Sequence, residues 1–175
     1  METLTTERLA LEPLTATHAA EMYDVLRDPA LYDHLDYGPP ASPDALRSVY
    51  RELEPRLSPD GSQLWLNWVV RLGADALGFV QATVEGEDAW VAYVLARAAW
   101  GRGYASEATG AVLEHLRTAY GVRRFLAVTE VANERSIALL TRLGFRRAGD
   151  GEVRGRQPAA TERLFVRGAD ETRAR

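Results

Sequence analysis

Apolar positions recur along this chain with two periods, and the changes of period mark out its elements. Leu9 and Leu11, followed by Leu14 after Pro13, alternate with charged or polar neighbours from Arg8 to Leu14, which predicts a strand with one buried face. Thr15 or Thr17 then caps a helix that carries Ala19, Met22, Val25 and Leu26 at helical spacing. That helix stops near Asp28-Pro29, because proline disfavours helix in the residue before it. Gly38, Pro39 and Pro40 make residues 33 to 42 a loop. Ser42-Pro43, a cap followed by proline in the first turn, opens a second helix with Leu46, Val49, Tyr50 and Leu53 along one side.

From Leu64 onwards the pattern is that of strands. Leu64 to Leu72, Leu77 to Val84 and Ala89 to Leu95 are apolar, β-branched or aromatic runs. Gly73-Ala74-Asp75 and Glu85-Gly86-Glu87-Asp88 separate them, which predicts an antiparallel meander. Ser106 to Tyr120 returns to helical spacing, with Ala108, Ala111, Val112, His115 and Leu116 on one stripe and Gly121 at its exit. A strand over Arg123 to Thr129, a helix from Asn133 to Leu143 ending at Gly144, and a strand over Thr161 to Arg167 complete an α+β order without internal repeats. One domain is expected over residues 1–167, with a polar tail, 168–175, expected to be disordered.

Composition removes several chemistries. A formal net charge of −4 lacks the clustered basic surface that phosphate neutralisation requires, so nucleic acid is not an expected partner. With no cysteine, disulfides, thiolate-held zinc and a thiol nucleophile are excluded. His18, His34 and His115 lack metal-ligand spacing, so no metal is expected. The polar, acidic start and the lack of an apolar run near the ~20 residues of a membrane helix make a soluble cytoplasmic protein the expectation.

The most informative stretch runs from Tyr93 through Trp100-Gly101-Arg102-Gly103-Tyr104-Ala105-Ser106-Glu107, a strand passing through a glycine turn directly into a helix. The start of a helix presents N–H groups without intrahelical partners, and glycine lets the backbone approach an anion closely. Main-chain donors from Gly101 to Ser106 are therefore suited to a pyrophosphate, with Arg102 at the rim. Two glycines before a helix also occur as a purely structural turn. A Walker loop is excluded, since no Gly-Lys-Ser or Gly-Lys-Thr follows. A dinucleotide fingerprint would place glycine at Ser106; Glu130 imitates its ribose-binding acid, but the preceding meander does not fit a doubly wound sheet.

Trp100-Gly101-Arg102-Gly103-Tyr104-Ala105 resembles the acetyl-CoA pyrophosphate motif of the GNAT superfamily of N-acetyltransferases, Gln/Arg-x-x-Gly-x-Gly/Ala, with Trp100 in place of the Gln or Arg. Asn133-Glu134-Arg135-Ser136 followed by Leu143-Gly144-Phe145 resembles the later helix of the branch that acetylates ribosomal-protein N-termini. Thr6-Glu7-Arg8-Leu9 and Leu11-Glu12-Pro13-Leu14 resemble its first strand, so the likeness runs to about Arg167. It implies a mixed, mostly antiparallel sheet of about seven strands with helices on both faces and a splayed acetyl-CoA groove.

The resemblance further implies direct attack of a neutral amine on the thioester, with a β-bulge near Leu95 and Ala96 splaying two strands and a backbone N–H there polarising the thioester oxygen. Asn133 is the natural cap of its helix and, by the resemblance, is also expected to contact the CoA arm. Many members carry a tyrosine proton donor where this chain has Leu140, which leaves Ser136 as the candidate donor or relay beside its plainer reading as a first-turn serine. Glu130 is a candidate base acting through water, or else a solvated or salt-bridged carboxylate. Glu107 is expected to favour the helix start by its charge. His34, between Asp33 and Asp36, lies in a loop expected to overhang the acceptor, and Trp68 or Tyr93 is a candidate for lining its tunnel. The two acidic loops, Asp33 to Asp36 and Glu85 to Asp88, suit a cationic acceptor. The acceptor is a protein N-terminal amine or a small amine, a homodimer through the final strands is an open expectation, and a non-catalytic acyl-CoA sensor is the alternative.

Overall fold

The computed structural model describes residues 1–149, 151–152 and 158–170. Its strands are β1 (Leu4–Thr5), β2 (Ala10–Pro13), β3 (Leu64–Leu72), β4 (Asp75–Glu85), β5 (Asp88–Leu95), β6 (Arg124–Glu130), β7 (Arg146–Arg147) and β8 (Glu162–Gly168). They form one 8-stranded sheet in the order β1-β2-β3-β4-β5-β6-β8-β7. Neighbours are antiparallel throughout except β5 and β6. The helices are α1 (Ala19–Leu26), α2 (Pro43–Leu53), α3 (Tyr104–Tyr120) and α4 (Glu134–Arg142); α3 is the crossover that the parallel pair demands.

Helices cover both faces of the sheet, as the expected fold class requires. Leu66, Trp68 and Val70 of β3 pack with Val112 and Leu116 of α3 and with Leu140 of α4. Val69 turns the other way, onto Met22 and Leu26 of α1 and Leu46 and Tyr50 of α2. With both faces covered, β3 is a largely apolar run, broken only by Asn67 and Arg71, rather than an alternating one. Trp68 is wholly buried in this core, which removes it as a lining of the acceptor tunnel.

Most boundaries lie within two residues of the pattern, and the departures have local causes. Ser42 Oγ accepts from Ala45 N (3.1 Å) and starts α2 at the predicted place. Thr15, by contrast, heads a short 3-10 turn, Ala16–His18, closed by Thr15 N donating to His18 Nδ1 (3.0 Å), so α1 starts only at Ala19. Strands β1 and β7 are two residues each, too short to show a period. They are also the sheet's edges, β7 lying outside β8 and pairing with it only at Phe165 and Val166. Strand β8 runs through Gly168 and Ala169 N donates to Arg123 O (2.7 Å), while the tail residues 171–175 lie outside the described residues. Among the described residues no helix is long and apolar enough to cross a membrane.

The feature that positions the site is a split in the sheet. Strands β5 and β6 pair only where Asp88 to Trp90 face Arg124 to Leu126. Beyond that, β5 stays with β4 as far as the Leu95–Gly78 pair, and β6 stays with β8 as far as the Glu130–Glu162 pair. Each strand follows its own half-sheet, and a wedge opens between them. No bulge lies at Leu95 and Ala96: the β4–β5 register is continuous, and the irregularity falls one pair away, between Val70 and Arg71 of β3. Gly78 faces Leu95 with φ +145, and a Cβ there would lie 2.1 Å from Val94 O, so this contact is open to glycine alone.

Candidate active site

The wedge is a cavity of about 410 Å³ floored by Val91 to Leu95 of β5 and Ala127 to Thr129 of β6. The start of α3 and one side of α4 close it on one face of the sheet, and the segment around Leu31 and His34 closes it on the other. Ala96 N donates to Leu77 O (2.7 Å), so by the alternation of an antiparallel ladder Leu95, Tyr93 and Val91 turn their N–H and C=O groups away from β4, toward the wedge. Beyond the Trp90–Leu126 pair, no strand among the described residues pairs with this edge. Ala96 therefore does not supply the free N–H expected of it and does not line the cavity; Leu95 does line it.

The glycine turn has the conformation its sequence demands. Gly101 (φ +72) and Gly103 (φ +81) are left-handed, Gly103 is the N-cap of α3, and no side chain caps that helix. Its first intrahelical bond is Glu107 N to Gly103 O (3.0 Å), which leaves the N–H groups of the first turn without helical acceptors. Gly101, Gly103, Tyr104, Ala105 and Ser106 all line the cavity, whereas Arg102 is exposed and outside it. Arg142 Nη1 donates to Ser106 Oγ (3.2 Å) and brings a guanidinium to the same mouth. Unpartnered amides, a cation and an open strand edge suit a molecule with phosphates at one end and an amide-bearing arm, such as an acyl-CoA.

Two contacts hold this end of the cavity. Trp100, at the motif position usually polar, donates from Nε1 to Leu95 O (2.8 Å) and ties the end of β5 to the turn, with the Arg135 guanidinium stacked 3.6 Å above its ring. Glu107 accepts from Thr6 Oγ1 (2.6 Å), Arg8 N (3.0 Å) and Arg8 Nε (2.7 Å), while Arg8 Nη1 reaches Arg102 O (3.1 Å). Burial would raise the Glu107 carboxyl, but the bonds from Thr6 and Arg8 and the arginine's charge outweigh it and hold the group below its ordinary range. Glu107 thus staples the N-terminal segment onto the glycine turn, a larger structural task than a charge at a helix start.

Along α4, Asn133 Oδ1 accepts from Ser136 N (3.1 Å), the capping geometry expected of it, and Asn133 and Ser136 both line the cavity. Leu140 lines it too and brings no polar atom. The phenol comes instead from β5: Tyr93 OH lies 2.9 Å from Ser136 Oγ, and burial pushes its pKa up to about 12 against the opposing bond from Ser136. It is a protonated donor at any ordinary pH. Across the wedge, His34 Nδ1 lies 2.9 Å from Glu130 Oε2; His34 lines the cavity and Glu130 stands behind it. The other acidic loop, Glu85 to Asp88, is the hairpin at the closed end of β5, where Glu87 and Asp88 pair with Arg123 and Arg124, and it has no part in the site.

The site contains residues that the motifs do not name. Arg135, Ala138 and Arg142 face the cavity at spacings of three and four, a stripe of α4 that a helical reading of that segment contains. The Tyr93–Ser136 and His34–Glu130 pairs join residues far apart in the chain, and no local pattern announces them.

An open mixed sheet split beside a glycine-started helix defines a class of protein, and the comparisons name it. Residues 8–146 match the model of the acetyltransferase (GNAT) domain, and the chain belongs to that family. It is 29% identical over 152 residues to an uncharacterized N-acetyltransferase, p20, of Bacillus licheniformis, a match covering 85% of each chain. In fold it is similar to a RimL ribosomal L7/L12 alpha-N-protein acetyltransferase solved with coenzyme A: the TM-score is 0.80 at 21% identity, covering 98% of this chain and 100% of the other. A Salmonella typhimurium acetyl transferase described as modifying the N-terminal serine of ribosomal protein L7/L12 superposes with a TM-score of 0.77 at 20% identity, covering 95% and 99%. The protein is thus a GNAT acetyltransferase, whose family uses acetyl-CoA.

Proposed function

We propose that the protein transfers an acetyl group from acetyl-CoA to a primary amine by direct attack, the acceptor being a protein N-terminus or a small amine. The observation that carries this reading is the wedge itself, which runs from the uncapped start of α3, past the unpaired edge of β5, to His34 on the opposite face. Gly101 to Ser106 hold the pyrophosphate, the N–H groups of Leu95 and Tyr93 pair with the pantetheine arm or polarise the thioester oxygen, and Asn133 fixes the arm from α4. Ser136 gives a proton to the departing thiolate and is resupplied by Tyr93, so that the phenol missing at Leu140 is replaced from β5. The Glu130 end of the groove receives the ammonium proton.

The structural neighbours that act on ribosomal-protein N-termini make a serine-initiated peptide the first acceptor to try, alongside small primary amines. Because the chain has no cysteine, a thiol reagent reads released CoA alone. Acetyl-CoA and CoA are expected to raise the melting temperature saturably, by about 2.7 kcal/mol of stability at one hundred times the dissociation constant, while NAD has no effect. CoA release above the hydrolysis background with any acceptor excludes the non-catalytic sensor; binding without release supports it. No shift with any acyl-CoA removes the cofactor assignment.

A further inference from the structure

The acceptor end of the groove holds a histidine and a carboxylate that the fold brings together from 96 residues apart in sequence. His34 Nδ1 sits 2.9 Å from Glu130 Oε2, and it is His34, not Glu130, that faces the cavity. A carboxylate only accepts, so Nδ1 carries the hydrogen and Nε2 is left with its lone pair. Nε2 has no hydrogen-bond partner among the described residues. The two side chains are 27% and 36% exposed, enough for a proton to pass on to solvent.

The segment that carries the imidazole is anchored. Asp28 Oδ1 accepts from Ala30 N (3.0 Å), Leu31 is buried against α1 and α2, and Tyr32 OH donates to Leu26 O (2.8 Å). Tyr37, just beyond His34, stacks edge-on against Tyr32 at 5.6 Å. The imidazole is thereby placed on the α1–α2 face of the sheet. Tyr93 packs with the α3–α4 cluster, so the Tyr93–Ser136 pair belongs to the other face. A base and an acid on opposite sides of one opening match a reaction in which an amine arrives from one face and a thiol leaves from the other.

We infer that His34, through Nε2, takes the proton from the acceptor ammonium and that Glu130 is its positioning residue; this rests on the acetyltransferase reading above. An ordinary imidazole is more basic than a carboxylate by about two units and better matched to neutral pH. The first ammonium proton passes to Nε2, the freed nitrogen pair forms the C–N bond, and the C–S bond breaks with its electrons on sulfur. The nitrogen then loses its second proton to solvent, while the Ser136–Tyr93 pair, having protonated the thiolate, recovers one from solvent, so that one proton is released per turnover. His34 returns its proton to solvent.

The charged and titratable groups around His34 are Glu130 on β6 and Asp33, Asp36, Tyr32 and Tyr37 on its own segment. Across the groove stand Tyr93 on β5 and Arg135 and Arg142 on α4. The test is the pH profile of kcat/KM for acetyl-CoA and the best acceptor among a serine-initiated peptide and small primary amines. In His34→Gln a fall of about 100-fold and loss of the acidic limb are expected, with the CoA-induced thermal shift kept. Glu130→Gln is expected to lose about 10-fold and to keep the acidic limb, because the imidazole that takes the proton is still present and only its orientation is loosened. Added imidazole should partly restore His34→Ala. Loss of the limb in Glu130→Gln with its retention in His34→Gln would make Glu130 the base, and wild-type kcat/KM in both variants would leave neither with a role; either overturns the inference. A wild-type protein that releases no CoA with any acceptor fails at the prior step, the acetyltransferase reading.

Discussion

The two ends of the groove are built by different means. At the end proposed for the cofactor the cavity-facing groups are largely main chain: the first-turn amides of α3 and the edge of β5, held by Trp100 on Leu95 O and by Glu107 on Thr6 and Arg8. At the proposed acceptor end it is a side chain, His34 from a short segment, held by Glu130 from the end of β6. Main-chain donors are set by backbone conformation, so they tolerate few residues and recur as a contiguous motif. Side-chain pairs across the fold leave the surrounding sequence free to vary, which is what a change of acceptor requires.

The sharpest way to break the comparison is Gly103→Val. Gly103 adopts φ +81, where a β-branched residue is strained by roughly 1–2 kcal/mol, and a Cβ there would lie 3.4 Å from Arg8 Nη2, so the turn that carries the amides must shift. The expected result is loss of the CoA-induced thermal shift in a protein that still melts cooperatively. Should the folded variant keep the wild-type shift, the phosphates bind elsewhere. Next in size are Ser136→Ala and Tyr93→Phe, which leave the backbone cradle intact and remove the proton supply. Each should lower kcat roughly 10-fold to 100-fold with acetyl-CoA affinity retained, and the double variant should resemble the worse single one, since the two hydroxyls act as one unit. Additive losses would separate Tyr93 from Ser136 and return Ser136 to its role in the first turn of α4.

The same division explains what was legible in the sequence. The meander, the helix caps and both motif helices are local matters, and Ser42, Asn133 and Gly103 stand in the roles their types predict. Nine of the residues singled out for cofactor binding or catalysis line the cavity, namely Leu95, Trp100, Gly101, Gly103, Tyr104, Ala105, Ser106, Asn133 and Ser136, and so do His34 and Tyr93 from the expected acceptor side. Ala96 and Arg102 do not, for reasons of hydrogen-bond direction and exposure that spacing does not encode: one N–H points to Leu77, and the other residue offers its carbonyl to Arg8. Glu130 was recognisable as a carboxylate at a strand end, but its partner was not, because the distance from His34 depends on how the split sheet places β6 beside the segment after α1. The bulge was expected from resemblance near Leu95 and Ala96, and the irregularity lies instead in the β3–β4 ladder, where Val70 faces Gly78 and Arg71 faces Ala76, a pairing visible only across two strands.

The smallest expected effect concerns the Glu107 staple. The Glu107 carboxyl is held below its ordinary value of 4.5 in the folded chain. A group whose folded pKa is depressed contributes stability that is present above its unfolded value and fades as pH falls through the folded one. Arg8 is 42% exposed, so solvent screens the pair and the contribution is modest, about 1 kcal/mol or less. Denaturant midpoints of wild type and Glu107→Gln should therefore differ by that amount at pH 7 and converge as pH is lowered below 4.5 through the depressed range. A difference that persists unchanged into acid would mean that the staple works by packing of the Glu107 side chain and not by its charge. The cofactor end would then owe its rigidity to Trp100 and the left-handed glycines alone, and the contrast with the His34–Glu130 end would narrow to main chain against side chain.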